Sequence, residues 1–186
     1  MIGYAFCGSF CTFRKSINVL SILVSKGLDI MPIMSENAYL TDTRFGRSED
    51  FRKEIENICG RDIIHTITAA EPLGPAISLE ALIISPCTGN TLAKIANGIT
   101  DTSVTMASKA HLRSDRPLII ALASNDAMSA NLKNIGTLLQ KKNVFFVPML
   151  QDDPKNKPHS LVADFSLLEN ALTEAIEGRQ MRRLFN

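Results

Sequence analysis

The sequence is poor in signals that point outward. Its formal net charge is +1, which supplies no long-range attraction to nucleic acid or to an anionic membrane. The short basic cluster from Arg179 to Arg183 reads as a solvated helix end rather than a binding patch. No apolar run approaches the roughly 18 residues that a transmembrane helix needs. Met1 leads straight into an apolar stretch, without the basic segment and small-residue cleavage site of a signal peptide. Together these absences predict a cytoplasmic protein with neither a nucleic-acid nor a membrane partner.

The same holds for metals and dinucleotides. Cys7, Cys11, Cys59 and Cys87 are scattered with no C-x-x-C pair, which argues against zinc and thioredoxin chemistry. Buried free thiols in a reducing compartment are the simplest reading. His65, His111 and His159 have no ligand-like spacing, so no metal site is expected. His65, inside the apolar run Ile63–Ile67, reads as a structural histidine. Neither a G-x-G-x-x-G nor a Walker loop is present, so the chain shows no dinucleotide site of its own.

What is present is alternation. Ile2–Phe6, Ile30–Ile33, Ala81–Ile84, Leu118–Ala123 and Val144–Val147 are short and nearly continuous in apolar residues, as strands covered on both faces should be. Between and after them come helical patterns at Phe13–Lys26, Ser48–Cys59, Thr91–Ala96, Ala130–Lys142 and Ser166–Glu177. Three of these stop at Gly27, Gly60 and Gly178, suitable C-terminal caps. Strand–helix alternation of this kind predicts an α/β fold: a doubly wound parallel sheet between two helical layers. The length, 186 residues, suits one domain over residues 1–186. The polar stretch Asp152–Pro158 predicts an exposed loop that closes as a lid.

In such sheets ligands sit beyond the carboxyl ends of the strands. Four of these ends are rich in small polar residues. Cys7-Gly8-Ser9-Phe10-Cys11-Thr12 precedes a helix, where an anion such as phosphate is favoured. Ser35-Glu36-Asn37 follows the second strand, and Ser35 reads equally well as a helix cap or a ligand contact. Ser85 to Thr91 is the strongest local signal: Thr88, Asn90 and Thr91 offer side chains beside backbone N–H groups, with simple capping by Asn90 as the competing reading. Ser124-Asn125-Asp126 is the fourth. Cys87 sits where a thiolate would be stabilised, yet no histidine is placed to serve it as a nucleophile.

The run from Ser85 to Asp101, SPCTGNTLAKIANGITD, resembles the central motif of the flavoprotein superfamily of phosphopantothenoylcysteine decarboxylases, lantibiotic cysteine decarboxylases and flavin prenyltransferases. The family consensus begins A-P-x-S/T-A-N-T. Gly8-Ser9 fits that family's first loop and Ser35 its second-strand Ser/Thr. The resemblance implies a Rossmann-like flavoprotein fold binding FMN through Gly8, Ser9, Ser35, Thr88, Asn90, Thr91 and Lys109. It also implies a homo-oligomer built on trimers, with Ile99–Arg113 as an interface helix.

A narrower resemblance spans nearly the whole chain. Thr43–Gly46, Ala70–Pro75, Ala107–Arg113, Ser124–Asp126, Gln151–Pro154 and Lys157–Ala163 look like the B subunits of dipicolinate synthases of spore-forming bacteria. This implies a partner, the A subunit, holding NADP, and a small dicarboxylate substrate, dihydrodipicolinate, oxidised in the mother cell. Asn125 and Arg113 are then substrate contacts, with Arg44 a further candidate cation. No catalytic residue is assigned. The decarboxylases' catalytic histidine falls at Pro72, their P-A-M-N stretch at Leu122-Ala123-Ser124-Asn125, and their flavin-side arginine at Lys109, which lacks a bidentate fork. These departures count against decarboxylation of a cysteinyl peptide.

Overall fold

The computed structural model describes residues 1–74 and 76–185; Pro75, the last residue of the Ala70–Pro75 motif, lies outside them. The strands are β1 (Ile2–Phe6), β2 (Ile30–Met34), β3 (Ala81–Cys87), β4 (Leu118–Ser124), β5 (Val144–Phe146), β6 (Met149–Leu150) and β7 (Leu161–Ala163). The helices are α1 (Phe13–Ser25), α2 (Glu36–Leu40), α3 (Ser48–Cys59), α4 (Ile67–Ala70), α5 (Gly89–Ala96), α6 (Ser103–Leu112), α7 (Leu132–Leu139) and α8 (Leu168–Ile176). Short 3-10 turns precede α1 and α8.

The sheet runs β2-β1-β3-β4-β7-β6, with β5 also on β4. β2, β1, β3, β4 and β5 are mutually parallel. The doubly wound parallel sheet expected from the sequence is therefore present, with an antiparallel extension. β4 is long enough to serve two neighbours. Leu118–Ile120 pairs with β5 in parallel, while Ala123 and Ser124 pair with β7 in the opposite sense.

Strand side chains alternate between two cores. Tyr4, Phe6, Ile83, Ile119 and Ala121 join α1, α3 and α8 through Ile17, Leu20, Phe51, Ile55 and Leu172. Ala5, Cys7, Leu82, Ile84, Leu118 and Ile120 join α4–α7 through Ala70, Leu92, Ala107 and Ile135. This gives three layers. Among the apolar side chains a polar knot is buried. The Tyr4 hydroxyl meets Ser16 Oγ and Ser85 Oγ at 3.0 and 3.1 Å, and the two serine hydroxyls are 2.9 Å apart. It ties β1, α1 and β3 together just below the strand ends. Burial pushes the Tyr4 phenol up to about 12.

The outer side of β5 is closed without a strand. Phe146 N–H donates to Gln180 Oε1 at 2.8 Å, and Gln180 Nε2 donates back to the Phe146 carbonyl at 2.7 Å. Beyond it, Met149 N–H donates to the Leu184 carbonyl at 2.7 Å.

Candidate functional site

The first loop leaves β1 at Phe6 and turns through Gly8 and Ser9. Thr12 Oγ1 donates to the Ser9 carbonyl at 2.9 Å and closes the turn. The second loop enters α5. Its N-cap is Thr88, whose Oγ1 accepts from Thr91 N–H at 3.1 Å. Asn90, offered above as the cap, is instead an exposed residue of the first turn. The N–H groups of Gly89 and Asn90 have no partner inside the helix, as first-turn donors never do.

The third loop follows β4. Asp126 accepts from the Ser124 hydroxyl on one carboxylate oxygen, and from Asn131 Nδ2 at 2.9 Å on the other. Asn134 Nδ2 in turn holds Asn131 Oδ1 at 2.8 Å. The Ser124 hydrogen bond, with Asn131 behind it, holds the Asp126 carboxyl below the ordinary aspartate value. This cluster packs onto Gly89 so closely that a Cβ there would overlap Ser124 Oγ, with Asn131 Nδ2 at 2.6 Å and Asp126 Oδ1 at 2.8 Å. The glycine here and the Ser124–Asp126–Asn131 cluster therefore fit each other sterically.

The three loops enclose a groove of about 390 Å³ at the strand ends, lined by Gly8, Ser9, Phe10, Cys11, Phe45, Thr88, Gly89, Asn90, Asn125 and Asp126, with Ala123 and Ser124 at its floor. Among the described residues, its lining carries one carboxylate and no cation. Gly8, Ser9, Thr88, Asn90 and Asn125 are thus brought together as the sequence implies. Phe45 reaches the groove from the turn Thr43–Gly46, closed by backbone hydrogen bonds of 3.0 and 3.1 Å. The resemblance marks its turn, Thr43–Gly46, but not Phe45 as a lining residue, because that place depends on how the turn packs.

The remaining expected residues stand elsewhere. Ser35 is buried and caps α2, accepting from Ala38 N–H at 3.4 Å; of its two readings the geometry supports the cap. Thr91 is buried behind Thr88, which donates to its hydroxyl at 3.1 Å. Lys109, in the last turn of α6, and Arg113, its C-cap, line a separate groove of about 360 Å³ with Ile95, Ile99, Leu112 and Lys141. Among the described residues, none lines both grooves.

Cys7, Cys87, His65 and His111 are structural in their surroundings, whereas Cys11 is exposed and lines the groove. Burial pushes Cys7 up to about 11 and Cys87 well above its ordinary value, which removes Cys87 as a ready nucleophile. His65 stacks on Tyr39 with ring centroids 3.7 Å apart, and its Nδ1 lies 3.2 Å from the Ile63 carbonyl. His111 is buried, with Nε2 2.9 Å from the Pro117 carbonyl. Among the described residues, no helix is long and apolar enough to cross a membrane.

Comparison with known proteins agrees with this fold. The chain is 39% identical over 181 residues to the B subunit of dipicolinate synthase from Bacillus subtilis, covering 97% of this chain and 90% of that one. The crystal structure of the corresponding B subunit from Bacillus halodurans superposes with a TM-score of 0.91 at 35% identity, covering all of this chain and 95% of the other. The FMN-dependent cysteine decarboxylase SpaF gives 0.69 at 25% identity, over 94% and 95% of the two chains. The Flavoprotein family model matches residues 1–167, a span that takes in every strand and all three loops of the strand-end groove, and the chain belongs to that family.

Proposed function

We propose that this chain is the B subunit of a dipicolinate synthase, which binds FMN in the strand-end groove and works with a nicotinamide-binding A subunit. The observation that carries this reading is the 39% identity to the Bacillus subtilis protein across 97% of the chain. The overall reaction is oxidation of dihydrodipicolinate to dipicolinate with NADP, in the mother cell of a sporulating bacterium. NADP belongs on the partner, because this chain has no glycine fingerprint to hold it.

The groove's residues fit a flavin phosphate. The unpartnered N–H groups of Gly89 and Asn90 suit a phosphate at the start of α5. The Asn90 and Asn125 amides, with the rings of Phe10 and Phe45, suit the polar edge and the face of a planar ring system. Bound flavin would supply reversible hydride and electron chemistry. The protein's part is to hold and orient the ring and to offer Asp126 as a fixed hydrogen-bond acceptor.

The substrate's carboxylates suit the other groove. Lys109 and Arg113 supply cations above the apolar floor of Ile95, Ile99 and Leu112. α6, one wall of this second groove, is also the surface expected to meet further copies of the chain in a trimer-based assembly, which light scattering tests. The decisive functional assay follows NADPH formation from dihydrodipicolinate by each purified protein and by the mixture, with flavin content read by absorbance. Activity is expected only from the pair. Full activity from the isolated partner overturns a catalytic role for this chain and leaves it a scaffold.

A further inference from the structure

The turn from Thr43 to Gly46 stands at the strand-end groove, because Phe45 is one of the groove's lining residues. Its backbone is secured from both sides. Phe45 N–H donates to Thr43 Oγ1 at 3.1 Å. At the base of the turn, Asp42 Oδ1 accepts from Ser48 N–H at 2.7 Å and from Ser48 Oγ at 3.0 Å, which fastens it to the start of α3. Gly46, at φ 147°, lies so close to the Phe51 ring that a Cβ would stand 2.7 Å from it. Phe51 meets Phe13 edge-on with centroids 5.2 Å apart, and Phe13 meets Phe10 at 5.2 Å. Phe10 lines the groove from the first loop. One aromatic chain thus fixes the turn relative to that loop.

Arg44 is carried on this turn. Its guanidinium carbon lies 4.9 Å from the centroid of the Phe45 ring, so the cation rests on a side chain that lines the groove. Phe45 is 46% exposed and Arg44 is exposed with it. Stacking of this kind is weak at an exposed site. Among the described residues no carboxylate pairs with Arg44, whereas Arg14, Arg47, Arg61 and Arg179 each pair with one.

The Asp152–Pro158 loop, expected from its composition to close as a lid, is stapled instead. Met128 N–H donates to the His159 carbonyl at 2.9 Å, Lys157 N–H to the Asp153 carbonyl at 2.7 Å, and Gln151 Nε2 to the Pro158 carbonyl at 3.0 Å. Its Lys157 is held by Asp152 at 3.1 Å. Arg44 differs on both counts: its backbone is fixed beside the groove, and its charge has no partner.

The N–H groups of Gly89 and Asn90 offer a phosphate the dipoles at the start of α5. A guanidinium adds a full charge and a planar fork that matches two phosphate oxygens. Turning from the Phe45 face to a phosphate exchanges a weak contact for a charge-assisted pair, and no existing ion pair is broken.

We propose that Arg44 is the phosphate-recognising cation of the strand-end groove: its guanidinium turns from the Phe45 ring to the phosphate of a ring ligand held there. This role rests on the reading of that groove as a flavin phosphate site, and it names the residue that selects FMN over riboflavin.

FMN and riboflavin differ only by the phosphate, so fluorescence titrations of the full chain with each, alone and with its partner subunit, read the role directly. Arg44→Gln is expected to weaken FMN by about tenfold while leaving riboflavin affinity and the melting temperature unchanged. Arg44→Lys, which keeps the charge but not the fork, should fall between Arg44→Gln and the wild type. Raising the ionic strength should erode FMN affinity more in the wild type than in Arg44→Gln. Unchanged FMN affinity in Arg44→Gln, or an equal loss for both flavins, overturns the role of the arginine and leaves the flavin reading standing. A loss of dipicolinate affinity alone does the same and transfers Arg44 to the substrate. Failure of the wild type to bind either flavin overturns the flavin reading itself, and the proposal with it.

Discussion

One helix serves two grooves of opposite character. α5 lends its first turn, Gly89 and Asn90, to the strand-end groove, and Ile95 in its last turn to the groove against α6. The first groove is walled by loops, carries one carboxylate and rests on the buried Tyr4–Ser16–Ser85 knot. The second is walled by helix faces, has an apolar floor and carries Lys109, Arg113 and Lys141 at its rim. The two grooves thus differ in charge, although a single continuous motif, Ser85–Asp101, runs through both.

The comparison can be broken or sharpened by experiment. The largest expected effect is alkaline. Burial raises Cys7 from 9.0 to about 11 and Tyr4 from 10.0 to about 12, so both favour the neutral form in the folded chain. Their contribution is complete below pH 9 and is lost as pH rises through 9 to 12, by roughly 3 kcal/mol for Tyr4 alone. Denaturant titrations at pH 8 and pH 11 read this directly. Tyr4→Phe should shrink the difference, since Ser16 and Ser85 still pair with each other.

Next comes Gly89→Ala. The added methyl must displace the Ser124–Asp126–Asn131 cluster, an overpacking that costs about 1–3 kcal/mol. Flavin affinity should fall with it, while dipicolinate binding at the α5–α6 groove stays unchanged in calorimetry. Lys109→Ala and Arg113→Ala should do the reverse, each lowering dipicolinate affinity by about tenfold and sparing flavin. A parallel fall in flavin affinity would show that the grooves act as one site.

The finest test separates cap from contact. Thr88→Ala should cost about 1 kcal/mol of stability through loss of the cap. Asn90→Ala, at an exposed position, should change stability by less than about 0.5 kcal/mol and still weaken flavin. Paired melting curves and titrations distinguish them, and a stability loss on Asn90→Ala with unchanged affinity would reverse the assignment.

The five central strands and helices α1, α3, α5, α7 and α8 were legible because each is a sustained pattern, an apolar run or helical spacing; α6, ten residues long, entered only through the family resemblance, because it is buried on most sides and shows no clear apolar stripe. α2, α4, β6 and β7 are two to five residues long, shorter than any window in which periodicity can speak. β7 escapes for a second reason, since Leu161–Ala163 follows a proline-rich loop and pairs against the direction of the sheet. In the site, Gly8, Ser9, Thr88, Asn90 and Asn125 were readable as small polar residues after buried strands. Resemblance alone cannot separate a residue lining one groove from a neighbour along the same motif, so Lys109 and Arg113 were grouped with residues they do not join. Ser35 shows the same limit, because a cap and a ligand contact call for the same side chain.

The amide of Gln180 on Phe146 has a consequence for how copies of the chain behave in crowded solution. An open strand edge invites any extended segment to add itself, including the same edge of another molecule. Here a side chain imitates a peptide unit, donor and acceptor both, and occupies the two groups such an intruder would use. The protection is only one residue wide and arrives late, since the segment that carries it lies after the last helix. A nascent or nicked chain without that segment presents β5 bare, so intactness of the final residues guards against runaway strand exchange as much as it completes the fold.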